Sequence, residues 1–217
     1  MSNSADNLNS SIIDFIRSDS SSVKSIKFYK NEYIYISGGR GNFYFIEKGH
    51  VKVSFQTEDG RICNIGFYKE GDFFGQSGLS DIVIPETAIA LVDCVVKRIN
   101  FSSFLEEIRD KELLYYFFIY MSSEIIEHQK TISSFVLLNS EKRLAYSLMR
   151  MASEIRNDNI SSIKNKISYQ DLSYMVGTTR SRVGYFMNFF LRTGLIKESK
   201  DYFLIVDKKR IEEFLTE

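Results

Sequence analysis

The sequence predicts an α+β protein with three parts. These are an N-terminal double-stranded β-helix (jelly-roll) domain, a long dimerisation helix and a C-terminal winged helix-turn-helix domain. Three observations predict it. From Val23 to Asn100, short runs rich in Ile, Val, Phe and Tyr are separated by glycine turns. From Lys111 to Leu138 there is no Gly or Pro, and apolar residues recur three, four and seven apart. Between Ser168 and Thr193, two helix-like segments flank Gly177. The expected boundaries are 1–110, 111–138 and 139–217.

The elements follow in chain order. Ser4–Ser22 reads as a short leading helix (Ile12, Ile13, Phe15, Ile16) set in serine-rich chain. The β runs include Asn42–Glu47, His50–Gln56, Arg61–Tyr68 and Thr87–Ile99. Glu58-Asp59-Gly60 between two of them is a hairpin signal. Many short strands at this spacing indicate a sandwich or jelly roll. After Phe101 the texture turns helical, with a short helix ending near Ile108, capped by Ser102 or Ser103.

Lys111–Leu138 then reads as one long helix, on the order of 40 Å at 1.5 Å per residue. It is apolar on more than one side and needs a second surface to cover it. The expected surface is the same helix of a second chain, with Phe117, Phe118, Met121, Ile125, Ile132 and Phe135 in the interface. The alternative is a single core helix of a monomer. Asn139 or Ser140 caps the next helix, Glu141–Arg156, with Leu144, Leu148 and Met151 inward, and Asn157–Asn165 reads as a polar loop.

Ser168 is an N-cap candidate for a helix with Leu172, Met175 and Val176 on one face. Gly177 can end that helix in a left-handed conformation, and Thr178 or Thr179 can cap a second helix running to Arg192. In the second helix Val183, Met187 and Phe190 fall within roughly 60° of one another and bury. Ser181, Tyr185 and Asn188 lie opposite, and Arg180 sits at the N-terminal end, where recognition helices meet base edges. These four are the expected base readers, Arg180 through paired bonds to guanine. Ser168, Tyr169, Gln170, Thr178, Thr179, Arg182, Lys197 and Lys200 are the expected phosphate contacts. Leu195–Ile196 and Tyr202–Val206, separated by the polar Lys197–Asp201, read as a wing hairpin, and Lys208–Leu215 as a closing amphipathic helix.

Charge agrees in sign. The chain holds 28 basic and 28 acidic residues, yet residues 140–217 carry 14 Lys/Arg against 10 Asp/Glu. A basic end suits a polyanion such as double-stranded DNA. Cys63 and Cys94 lie in apolar strand-like stretches without metal-ligand spacing, so two core thiols are expected, with no metal and no cofactor. The polar Met1–Ser11 lacks a signal-peptide pattern, and Leu113–Met121 is too short to span a bilayer, so a cytoplasmic protein with no membrane partner is expected. No nucleophile–base pair or phosphate loop points to an enzyme. The alternative to DNA binding is a ligand-binding or protein-interaction module whose winged helix docks a protein.

Two stretches carry a family resemblance. The first is Gly71-Asp72-Phe73-Phe74-Gly75-Gln76-Ser77-Gly78-Leu79. The second runs from Asp171-Leu172 through Met175-Val176-Gly177-Thr178-Thr179-Arg180-Ser181-Arg182-Val183 to Leu191-Arg192-Thr193-Gly194-Leu195-Ile196. With the order of elements, they resemble the Crp/Fnr family of bacterial transcription regulators over nearly the full length. The resemblance implies a dimer about the long helix and a pseudo-palindromic operator. It also implies RNA polymerase as a partner if the protein activates, and a small-molecule or redox signal received in the β-roll. The effector pocket it implies comprises Phe74, Gly75, Gln76, Ser77, Glu86, Thr87, Glu124, His128 and Gln129.

Departures from the family narrow this. Members that bind cyclic nucleotides carry Glu where this chain has Gln76, and Arg followed by Ser or Thr where it has Glu86-Thr87. A second Arg aligns with Glu124, and the adenine-contacting Thr-Ser pair with His128-Gln129. A carboxylate in place of the guanidinium repels a cyclic phosphate, so control by cyclic AMP is not expected and any effector is unidentified. The branch with an iron–sulfur cluster uses N-terminal cysteines, and this chain has none before Cys63. Ser181 replaces a Glu of many recognition helices, so the operator half-site is expected to differ. His50 and His128 read as a turn residue and a helix-surface residue rather than haem ligands.

Overall fold

In the computed structural model the β texture resolves into eight strands among the described residues. They are β1 (Val23–Phe28), β2 (Tyr33–Tyr35), β3 (Phe43–Lys48), β4 (His50–Gln56), β5 (Ile62–Lys69), β6 (Phe73–Phe74), β7 (Thr87–Ala90) and β8 (Cys94–Ile99). The structure describes residues 23–39, 42–79, 83–100, 111–154, 161–201 and 203–217. The expected helices at 4–22 and 102–108 lie outside these. The described residues fall into two compact units, one within 23–61 and 65–129, the other within 62–64 and 130–217.

The strands make two four-stranded sheets, in the order β1-β8-β3-β6 and β2-β7-β4-β5. In β3 the run Phe43-Tyr44-Phe45-Ile46 is buried throughout, and alternation sends its side chains to two cores. Tyr44 and Ile46 join Val51, Val53, Phe74, Ala88 and Val96 in one cluster, whereas Phe43 and Phe45 join Phe73, Ile99 and Phe117 in another. Phe43 stacks on Phe73 at 5.0 Å and meets Phe117 edge-on at 6.2 Å. Each such burial contributes about 2–3 kcal/mol. The jelly-roll reading therefore holds, and the hairpin at Glu58-Asp59-Gly60 joins β4 to β5 with Gly60 at φ +83°.

Several expectations are corrected. Thr87–Ile99 is two strands, parted at residues 91–93. His50 opens β4 rather than occupying a turn. Cys63 is exposed, whereas Cys94 is buried in the cluster around Tyr44 and Ile46, so only one of the two thiols expected in the core lies there.

The long helix, α1 (Lys111–Leu137), ends one residue before the expected limit. Asn139 caps α2 (Ser140–Met151), its side chain accepting from Lys142 N at 2.9 Å. That helix stops earlier than the sequence suggested, and Leu144 and Leu148 are fully buried in it. The chain then forms β9 (Ser153–Glu154) and β10 (Ser161–Ile163), so the expected polar loop contains a buried strand. Tertiary pairing with β12 overrides the polar sequence of β10. The C-terminal sheet has the order β11-β12-β10-β9, where β11 is Ile196–Lys197 and β12 is Leu204–Val206. Helices α3 (Tyr169–Val176), α4 (Arg180–Thr193) and α5 (Lys208–Thr216) complete this unit.

Candidate nucleic-acid interface and effector pocket

Local chemistry builds the helix-turn-helix. Ser168 caps α3, accepting from Asp171 N at 3.0 Å and donating to Asp171 Oδ2 at 2.7 Å. Both uses of the hydroxyl are committed within the chain, so Ser168 is withdrawn from the phosphate contacts expected from sequence. Gly177 ends α3 at φ +66°, ψ +50°, the left-handed conformation that glycine adopts without steric cost. Of the two threonines, Thr179 is the cap of α4, and its Oγ1 accepts from Arg182 N at 3.3 Å.

On α4 the inward face is Val183, Phe186, Met187 and Phe190. Phe186 was not read as a core residue from sequence, although it lies one turn before Phe190. Arg180, Ser181, Arg182, Tyr185 and Asn188 are all exposed, and Tyr185 is 65% exposed despite its size. The first turn carries Arg180 and Arg182 and no acid, so the positive end of the helix dipole is reinforced rather than neutralised. Arg182 is steadied by the Phe186 ring, 5.7 Å from its guanidinium carbon. Tyr169 is half-buried and lies over Gly184, whose added Cβ would come 3.7 Å from its ring. Gln170 and Thr179 are exposed at the two helix starts, and Thr178 is half-buried between them.

The wing is the hairpin of β11 and β12, with Ile196 opposite Val206 and Lys197 opposite Ile205. Lys197 thus lies in the strand rather than the turn, and Lys200 lies in the turn; both are exposed. Tyr202 lies outside the described residues.

In the β-roll the sequence-expected pocket residues divide. Gln76 Nε2 donates to Glu124 Oε2 at 3.2 Å and lies 3.5 Å from the Tyr120 hydroxyl. Ser77 Oγ donates to Glu86 Oε1, and the Tyr35 hydroxyl donates to the same oxygen at 3.3 Å. Glu86 is only 5% exposed. Thr87 Oγ1 accepts from Ser37 N at 3.1 Å. Gly75 adopts φ +80°, and Phe74 is fully buried, stacked on Tyr44 at 5.1 Å. His128 and Gln129 are exposed on α1 and are not brought to Glu86 by any contact described. Tyr35 and Tyr120 were missed from sequence. Tyr120 stands one helical turn before Glu124 and could have been found by that spacing, whereas nothing marked Tyr35.

Burial, then the Glu86 carboxylate, raises the Tyr35 phenol far above its usual range. Burial, then Glu124, does the same for Tyr120. Both phenols therefore stay protonated, Tyr35 donating to Glu86 and Tyr120 accepting from Gln76. Among the described residues, no group of His, Cys, Asp and Glu could hold a metal, and no helix is long and apolar enough to cross a membrane.

Along α1, Phe118, Ile125, Ile132 and Phe135 are exposed, Phe118 at 62%. Phe117, by contrast, is 9% exposed inside its own β-roll core, and Met121 packs against the same cluster. Phe117 is removed from the expected dimer surface, because the roll already covers it, whereas Met121 is only half-buried.

Comparison with known proteins agrees with this architecture. The family model for the cyclic nucleotide-binding domain matches residues 25–111, and that for the Crp-like helix-turn-helix domain matches residues 142–214. The cAMP-activated global transcriptional regulator Vfr of Pseudomonas aeruginosa is 27% identical over 174 residues, spanning 77% of this chain and 81% of that protein. Electron transport regulator A of Shewanella oneidensis is 28% identical over 183 residues, 82% of this chain and 73% of that protein. Among solved structures, FixK2 from Bradyrhizobium japonicum superposes with a TM-score of 0.75 at 19% identity, covering 88% of this chain and 96% of that one.

Proposed function

The chain belongs to the Crp/Fnr family of DNA-binding transcription regulators, and on that premise we propose that it binds an inverted-repeat operator as a homodimer. The observation that carries this reading is α4. Its buried and exposed faces are cleanly divided, and its first turn offers two arginines and no acid. Arg180, Ser181, Tyr185 and Asn188 read bases. Tyr169, Gln170, Thr178, Thr179, Arg182, Lys197 and Lys200 hold phosphates. The subunits pair along α1 through Phe118, Ile125, Ile132 and Phe135, whose exposure supports a partner helix. RNA polymerase is the further partner if the bound protein activates.

Cyclic AMP is not the signal. Glu86 stands where cyclic-nucleotide-binding members place an Arg, and it is buried with hydroxyl donors around it. A phosphate brought within 4 Å of that carboxylate would meet about 4 kcal/mol of repulsion at an effective dielectric constant of 20. Calorimetric titration with cyclic AMP is expected to show no binding, and tight binding would overturn this part.

The DNA reading is tested by selecting operators from a random duplex pool and measuring binding by fluorescence anisotropy. Selected sites should be inverted repeats, and affinity should fall steeply with salt as counterions are released. Arg180→Ala should lose about 1–3 kcal/mol and relax one base position in each half-site. Selection of no sequence, or full selectivity in Arg180→Ala, would refute the assignment.

A further inference from the structure

We propose that Arg143 is a positioning residue that sets the angle at which the reading head leaves the end of α1, and through it the half-site spacing the dimer accepts. The inference rests on the dimeric DNA-binding reading above.

Only Leu138 and Asn139 separate α1 from α2, and a two-residue joint between helices leaves many relative directions open unless side chains close it. Arg143, in the first turn of α2, closes it. Its Nη1 donates to the Leu138 carbonyl at 2.8 Å and lies 3.4 Å from that of Phe135, both at the end of α1. Its Nε donates to the Val176 carbonyl at 3.0 Å, at the end of α3. One guanidinium therefore serves the last carbonyls of two helices, where the helix dipoles leave partial negative charge. These residues all belong to the second compact unit, so the tie is internal to one body.

The aromatic neighbour completes the joint. The Phe135 ring lies 5.1 Å from the Arg143 guanidinium carbon. The same ring stands 3.4 Å from where a Cβ on Gly177 would be, against the turn of the helix-turn-helix. A planar group with donors on two edges and an aromatic face can hold three directions at once, which an ammonium cannot. Farther along α2, Arg150 donates to the Thr131 hydroxyl of α1 and keeps the two helices alongside each other.

The consequence is geometric. In a dimer the second half-site is bound intramolecularly, at an effective concentration set by how well the second head is aimed. A rigid joint gives one favoured spacing, whereas a loose joint lowers affinity there and raises it at neighbouring spacings. A residue that merely stabilised α3 would lower affinity at every spacing alike.

The test measures binding of full-length protein by fluorescence anisotropy. The probes are selected inverted repeats, the same repeats with one base pair added or removed between half-sites, and a single half-site. The parent should show a sharp spacing optimum. Arg143→Met, which keeps stem length but not the donors, should bind the half-site as the parent does while its preference for the optimal spacing falls about tenfold. Arg143→Lys, which keeps the charge but not the paired donors, should restore only part of that preference. If Arg143→Met does not fold, Arg143→Lys decides the matter. Unchanged spacing profiles, or uniform losses at every site including the half-site, would overturn the proposal. A parent without any spacing optimum would instead show that the dimeric reading has failed, and the proposal with it.

Discussion

Substituting Gly75 by alanine tests the turn on which the β-roll pocket is built. At φ +80° an L side chain costs about 1–2 kcal/mol. Space adds a second penalty there. The new Cβ would lie 2.8 Å from the Asn42 carbonyl oxygen and 3.1 Å from the Tyr44 ring. The oxygen is backbone and cannot swing away, and Tyr44 is held in the stack with Phe74 and Tyr35. Overpacking of this kind adds about 1–3 kcal/mol. Gly71 supplies the control, because it has φ +92° but nothing within 4 Å of its added Cβ. Gly71→Ala should therefore lose only the conformational part, and Gly75→Ala both parts. Thermal melts of the two variants should differ by about 2–12 °C, taking roughly 2–4 °C per kcal/mol for a chain of this size. Equal destabilisation would refute the claim that crowding, rather than backbone sign alone, demands glycine at Gly75.

Gly184→Ala should act in the opposite direction. Its Cβ would sit in ordinary contact with Tyr169 at 3.7 Å, and the helix should gain about 0.5–1 kcal/mol, read by chemical denaturation of the DNA-free protein. Asn139→Ala removes the cap of α2 and should cost about 1 kcal/mol in the same measurement. Ile125→Glu combined with Ile132→Glu should give monomers by light scattering and weaken operator binding without changing half-site binding. A pH titration of unfolding should show stability falling once the pH exceeds the ordinary phenol value near about 10. Tyr35 and Tyr120 have folded values raised above the unfolded one, so their contribution is complete below that pH and is lost as pH rises further. Tyr35→Phe should reduce the alkaline loss.

What could be read in advance follows from which signals are local. Caps, left-handed glycines and helical periodicity act within one turn, so Ser168, Gly177 and the buried face of α4 apart from Phe186 were legible from residue order. The choice between Thr178 and Thr179 was not, because both carry the needed hydroxyl and only backbone direction separates them. The β10 strand was hidden for a different reason. Ser161-Ser162-Ile163 offers a single strand-favouring side chain, Ile163, and its place comes from pairing with Leu204–Val206, some forty residues away in sequence. Phe117 shows the same limit on α1. Periodicity groups apolar residues on a helix, but it does not say which of them faces the helix's own domain.

The effector pocket shows where residue identity and structure have to be combined. The family resemblance alone implies that Glu86 stands in place of an arginine, and the proposed exclusion of a cyclic phosphate rests on that reversal of charge. The structure adds that the carboxylate is turned inward and that its Oε1 receives both Ser77 and Tyr35. Tyr35 can serve that oxygen only as a protonated donor, and its raised pKa keeps it so. The polar groups at this position therefore satisfy one another with a net negative charge among them. An anion entering there would have to break two hydrogen bonds and approach a carboxylate, whereas a neutral donor or a cation would face neither cost. On the proposal made above, any signal received at this position is accordingly to be sought among ligands that donate hydrogen bonds or carry positive charge.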